Sequence, residues 1–168
     1  MKSTLYLLRW AAGICLVLLL QACPVSLDFP LGEEGIYPLD KALLGTWVNQ
    51  GSGEDIEVKE VEVRALDAYT YRITVLQKTG SYMMSDMEFN AWIAKLDGEA
   101  FLVIDEGDGQ KFLHYCYRLK GKQVTLYDMG LLDGGMDAVL SVESLRDQVS
   151  RSMKMPEFFE NGQIFRKN

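Results

Sequence analysis

Gln110-Lys-Phe-Leu-His-Tyr-Cys-Tyr-Arg-Leu-Lys120, followed by Gly121 and then Lys122-Gln-Val-Thr-Leu-Tyr-Asp128, is a pair of alternating apolar and polar runs joined at a glycine turn. Side chains of an extended chain alternate between two faces, so Leu113, Tyr115, Tyr117 and Leu119 share one face, and Val124 and Leu126 share another. The pair reads as a β-hairpin. Working outward, the same signature recurs until it fills the chain from residue 43 onward. Runs rich in β-branched and aromatic residues cover 45–50, 55–64, 69–78, 87–97, 99–105, 110–120, 122–128 and 162–167. Asp67-Ala68, Asp97-Gly98, Asp108-Gly109 and Lys120-Gly121 supply turns between them. Consecutive hairpins without long crossovers predict a mainly all-β fold, an antiparallel eight-stranded barrel of meander topology.

Two departures from the pattern are informative. In Ile56-Glu-Val-Lys-Glu-Val-Glu-Val63 the apolar residues switch from even to odd positions, which predicts a β-bulge near Lys59-Glu60. After residue 140 the period lengthens: Leu145, Val149 and Met153 recur every four residues behind Ser141, a good N-cap, with Glu143 in the first turn. One helix is therefore expected before the last strand, with Leu140 stapled onto Leu145 and Arg146, Asp147 and Arg151 facing water.

The N-terminus reads as an address. Lys2 and Arg9 precede the uncharged run 10–20, which is short for a membrane span of roughly 20 residues. The run ends at Leu20-Gln21-Ala22-Cys23, a bacterial lipoprotein signal in which Cys23 receives the lipid. A plain secretory signal and a retained anchor helix are the alternatives. The expected organisation is a signal peptide over 1–22, an acylated cysteine and tether over 23–42, and a barrel domain over 43–168. Pro24, Pro30 and Pro38 mark the tether, whose 19 residues after Cys23 could extend on the order of 60 Å. Pro24-Val25 lacks the acidic residue of inner-membrane retention, so a bacterial envelope lipoprotein of the outer membrane is favoured.

Loss of residues 1–22 takes the basic count from 17 to 15 against 24 acidic residues, for a net charge of −9. With no basic cluster, nucleic acid is a poor partner. Cys15 leaves with the signal and Cys23 is acylated, so Cys116 has no partner for an intramolecular disulfide. His114, the single histidine, lies two residues from Cys116 on a strand, where side chains run parallel rather than converge. Asp105-Glu-Gly-Asp-Gly109 lacks the spacing of a calcium loop and reads as a solvated turn. No catalytic site, metal site or cofactor is implied. The glycine-rich loop from Asp128 to Asp137 suits a mobile lid at a barrel mouth.

Gly45-Thr46-Trp47 resembles the G-x-W start of lipocalins and similar small barrels. The stretch from Phe89 to Ile104 is similar to a segment of uncharacterised bacterial lipoproteins of this barrel type, which end in a helix and a short strand like Ile164-Phe165-Arg166. The resemblance implies a lipocalin-like barrel with Trp47 plugging its closed end. Tyr71, Ile73, Val75, Trp92 and Leu96, with Tyr115, Tyr117, Leu119, Val124 and Leu126, are expected to point inward and mostly fill the interior. A shallow pocket would remain at the Met83–Met87 end, where Met83, Met84 and Met87 could form an apolar rim. Tyr115, Tyr117, Met83, Met84 and Met87 are the candidate contacts for a small apolar ligand. The expected function is therefore non-catalytic: a lipid-anchored protein binding such a ligand or another envelope protein. The alternative is a filled barrel that works through its surface.

Overall fold

The computed structural model describes residues 26–51, 58–78, 87–107, 109–129, 135 and 138–168. Among them are eight strands: β1 (Gly45–Asn49), β2 (Val58–Ala65), β3 (Thr70–Lys78), β4 (Met87–Leu96), β5 (Glu99–Asp105), β6 (Phe112–Lys120), β7 (Gln123–Asp128) and β8 (Gln163–Lys167). Each pairs antiparallel with its chain neighbour, and β8 pairs with β1, so the sheet closes into a barrel. The expected all-β barrel and its strand order are what the molecule adopts.

Local chemistry explains the turns. Asp97 and Gly98 both adopt positive φ, 49° and 86°, the two-residue turn whose twist matches a hairpin. At the β2–β3 turn one carboxylate oxygen of Asp67 accepts the N–H groups of Tyr69 and Thr70 at 2.7 and 2.8 Å. These bonds hold the Asp67 carboxyl below its ordinary range. The β2–β3 pairing slips between Val58 and Glu60 and again between Glu60 and Val61, which places the bulge at Lys59-Glu60. Ile56, the other half of that argument, lies outside the described residues.

The helix α1 (Val142–Ser152) begins at Ser141, which accepts the N–H of Ser144 while the Ser144 hydroxyl accepts the N–H of Ser141. This reciprocal pair closes the first turn. The staple expected from Leu140 is not formed, because Leu140 is 79% exposed. The buried face is wider than a stripe, since Gln148 and Ser152 join Leu145 and Val149. Arg146 does not face water alone: its guanidinium donates to the carbonyls of Leu31 at 2.7 Å and Lys95 at 3.2 Å.

The barrel has two apolar cores, one inside and one outside. Trp47, Tyr71, Ile93, Leu102, Tyr117 and Phe165 belong to the inner one. The outer one lies against β4, β5 and β6, where Trp92, Phe101, Val103 and Phe112 meet Leu145 and Val149 of α1. Trp92 and Leu96, expected inward, belong to this outer core. Their neighbours Ala91 and Ile93 face inward instead. Residues 91–94 are apolar at both parities, so alternation could not assign their faces.

The expected tether is also revised from Ser26 onward. Leu27 and Leu31 are buried in the outer core, and Leu27 exchanges backbone hydrogen bonds with Phe112 at 2.9 and 2.8 Å. Trp92 donates its indole N–H to the Gly32 carbonyl at 2.7 Å. Residues 26–40 are a strap on the barrel wall. Its signal was the alternation of Leu27, Phe29 and Leu31, interrupted by Asp28 and Pro30.

Candidate functional site

The two ends of the barrel differ in how the inward side chains are covered. At one end the connections β2–β3, β4–β5 and β6–β7 are tight, and a 3-10 turn (Lys41–Leu43) lies beneath the strands. Trp47, 2% exposed, donates its indole N–H to the Leu43 carbonyl at 2.7 Å. The Lys167 ammonium lies 5.4 Å from the Trp47 ring centroid and donates to the Ala42 carbonyl at 3.1 Å. Gly45, with φ of 125°, permits this closure, because a Cβ there would stand 2.8 Å from the Lys167 side chain. Trp47 is thus the plug of the closed end.

Two inward tyrosines complete that plug. The Tyr71 hydroxyl accepts the Asp40 N–H at 2.6 Å and donates to the Asp40 carbonyl at 3.1 Å. The Tyr117 hydroxyl meets the Asp40 side chain. Burial pushes both phenols well above their ordinary range, so they stay neutral donors.

The opposite end receives the connections β1–β2, β3–β4, β5–β6 and the chain leaving β7. Toward it the inward Val61, opposite Trp47, and Leu126, opposite Tyr117, together with Phe89 and Ile104, pack on the inner core and are partly buried, as Ala100 and Leu119 are toward the other end. Tyr115 stands opposite Leu102 and Asp128, one inward step nearer this end than Tyr117. Met87 opens β4, paired with Val75, and is half-buried. The structure therefore places Tyr115 and Met87 nearer this end than Tyr117, which stands opposite Leu126 and whose hydroxyl reaches Asp40. Met83 and Met84 lie outside the described residues, as does most of the expected lid between Asp128 and Asp137. Phe89 and Ile104 were not singled out from sequence, although they share parity with the inward Ile93 and Leu102.

His114, Cys116 and Asp105, the side chains weighed for chemistry from the sequence, make structural contacts. His114 is buried on the outer wall, where its Nε2 accepts the Leu31 N–H at 3.1 Å. Burial lowers its pKa to about 4, and Nδ1 has no hydrogen-bond partner among the described residues. Cys116 is buried on the same face with its thiol toward Glu99. Burial and then the Glu99 charge push that thiol up to about 12, the opposite of an activated nucleophile. The Asp105 carboxylate accepts the N–H groups of Gly107 at 2.8 Å and Gly109 at 3.0 Å, so it stabilises its own loop. Among the described residues no three His, Cys, Asp or Glu side chains gather as a metal site.

Among the described residues the end opposite the Trp47 plug presents Val61, Phe89, Ile104 and Leu126, all partly buried, with Tyr115 beside them. Comparison with known proteins adds no relative to this geometry: no family model, no curated protein and no solved structure matches the chain.

Proposed function

We propose that the protein is a lipid-anchored lipoprotein of the bacterial envelope, in the outer membrane, whose lipocalin-like barrel holds a small apolar ligand at its open end. The observation that carries this reading is the uneven cover of the inner wall. Among the described inward side chains, Trp47, Tyr71 and Phe165 are buried, while Val61, Phe89, Ile104 and Leu126, nearer the β1–β2, β3–β4 and β5–β6 connections, are only partly so, as are Ala100 and Leu119 toward the other end. An eight-stranded barrel is just wide enough to be filled by side chains or to admit one small ligand. The anchor reading is supported by Leu20-Gln21-Ala22-Cys23.

Mass spectrometry of the protein extracted from membranes is expected to find Cys23 as the acylated N-terminus, and Cys23→Ala should leave an unlipidated precursor. Recovery of an unmodified Met1 would refute the anchor. An apolar fluorescent probe should bind saturably, about one per chain, and Ile104→Glu should abolish binding while the fold persists. Absence of saturable binding to the parent protein would favour the barrel that acts through its surface.

A further inference from the structure

We infer that Asn161-Gly162 is a self-modifying site, at which the Gly162 backbone nitrogen attacks the Asn161 side-chain amide and leaves an aspartyl or isoaspartyl residue directly before the strand that closes the barrel.

Two unrelated demands of the fold put this pair together. The chain leaves the 3-10 turn Pro156–Phe159 and must enter β8 at Gln163 within a few residues. Asn161 makes that bend with φ of 56°, in the left-handed region that asparagine, aspartate and glycine enter most readily. Position 162 is fixed by packing instead. A Cβ there would stand 2.5 Å from the Thr125 methyl and 2.7 Å from the Tyr127 ring, so a larger residue would have to displace both. The bend selects the amide and the neighbouring strand selects the glycine. Their product is a pair in which no side chain on the second residue hinders its nitrogen from reaching the first.

Asn161 is also exposed, so water and hydroxide reach it. Asn49 and Asn90 differ in each respect: both lie in strands and precede Gln50 and Ala91. The Asn49 amide is tied at both ends, donating to the Val58 carbonyl at 3.2 Å and accepting the Gly51 N–H at 2.9 Å.

The reaction is intramolecular and needs only water as co-reactant. The Gly162 N–H gives its proton to hydroxide, the nitrogen bonds to Asn161 Cγ, and the bond from Cγ to the amide nitrogen breaks. The departing nitrogen takes up a proton and leaves as ammonia. The five-membered succinimide then adds one water. Opening at Cγ gives aspartate, and opening at the backbone carbonyl carbon gives isoaspartate, whose main chain runs through Cβ and Cγ.

Either product adds a negative charge beside Glu160. The aspartyl form can keep the left-handed bend. The isoaspartyl form inserts one carbon into the main chain between the buried Phe158 and the clamped Gly162. It therefore strains the entry to β8, whose pairings with β7 and β1 seal the barrel.

The test ages the folded protein in water labelled with oxygen-18, at pH 6.5 and pH 8.5, and follows it by peptide mapping with mass spectrometry. The peptide carrying Asn161 should gain about 3 Da, one amide nitrogen being exchanged for one heavy oxygen. The gain should be at least tenfold faster than at Asn49 or Asn90, and faster at pH 8.5, where more of the attacking nitrogen is deprotonated. Asn161→Gly keeps the bend and should show no gain there. A gain at position 161 no faster than at Asn49 and Asn90 overturns the site, as does one confined to the urea-unfolded chain. Amides of β8 should exchange with deuterium at least threefold faster in the isoaspartyl fraction than in Asn161→Asp, which has the same charge on an unaltered main chain. Equal exchange in the two overturns the effect on barrel closure.

Discussion

The wall formed by β4, β5 and β6 and the wall formed by β2 and β3 are built on the same backbone pattern but live in different surroundings. On the first, Ala91, Trp92, Ile93 and Ala94 are buried in succession, as are Phe101, Leu102 and Val103. One parity fills the barrel and the other fills the space under the strap and α1. On the second, Val61, Val63, Ile73 and Val75 face inward, while Glu62, Arg64, Arg72 and Thr74 face water. A sheet with one wet face is written in alternation; a sheet with two dry faces is written as a continuous apolar run. The difference locates the added layer, and it says where the molecule depends on more than its barrel.

That contrast can be broken at its strongest point by Phe101→Ala. Phe101 is fully buried in the outer core, so truncation should cost about 3–5 kcal/mol, read as a lowered urea midpoint. A loss under about 1 kcal/mol would mean that the strap and helix ride on the barrel without stabilising it. A second probe is proton uptake at His114. Its pKa falls from an ordinary value near 6.5 to about 4 in the folded chain, so the unfolded chain binds more protons between those values. Stability due to the neutral ring is then complete above about pH 6.5 and declines as pH falls toward 4. Its full worth is on the order of 3 kcal/mol. Comparing urea midpoints at pH 7 and pH 4.5 should show the decline, and His114→Gln, which retains an acceptor for the Leu31 N–H, should flatten it. On the wet wall the effects shrink. The Arg72 to Glu88 ion pair is 2.7 Å long but exposed, so Arg72→Ala should move stability by less than about 1 kcal/mol, and less again in high salt.

The same contrast explains what could be read in advance. The strands, the bulge at Lys59-Glu60 and the cap at Ser141 were legible because each is decided by a few adjacent residues. Trp92 and Leu96 were assigned to the wrong face because the deciding partner, the strap, lies some 60 residues away in sequence. The strap itself was hidden by its prolines, although Pro30 breaks no sheet pairing where only Leu27 bonds to β6. Of the candidate contacts, Tyr115 and Tyr117 were indistinguishable by parity. Only the position of Asp40 separates Tyr117, whose hydroxyl reaches it, from Tyr115.

Arg146 reaches back across 115 positions to the Leu31 carbonyl, and His114 across 83 to its N–H. A chain synthesised from its N-terminus presents the strap long before either partner. Leu27 and Leu31 must wait as exposed apolar residues until the rest of the chain has followed and β8 has sealed the barrel against β1. Loop closure over such distances is slow, and the waiting surface is an invitation to aggregate. The segment that arrives first is thus among the last to be placed, so its docking sets how long that apolar surface stays uncovered.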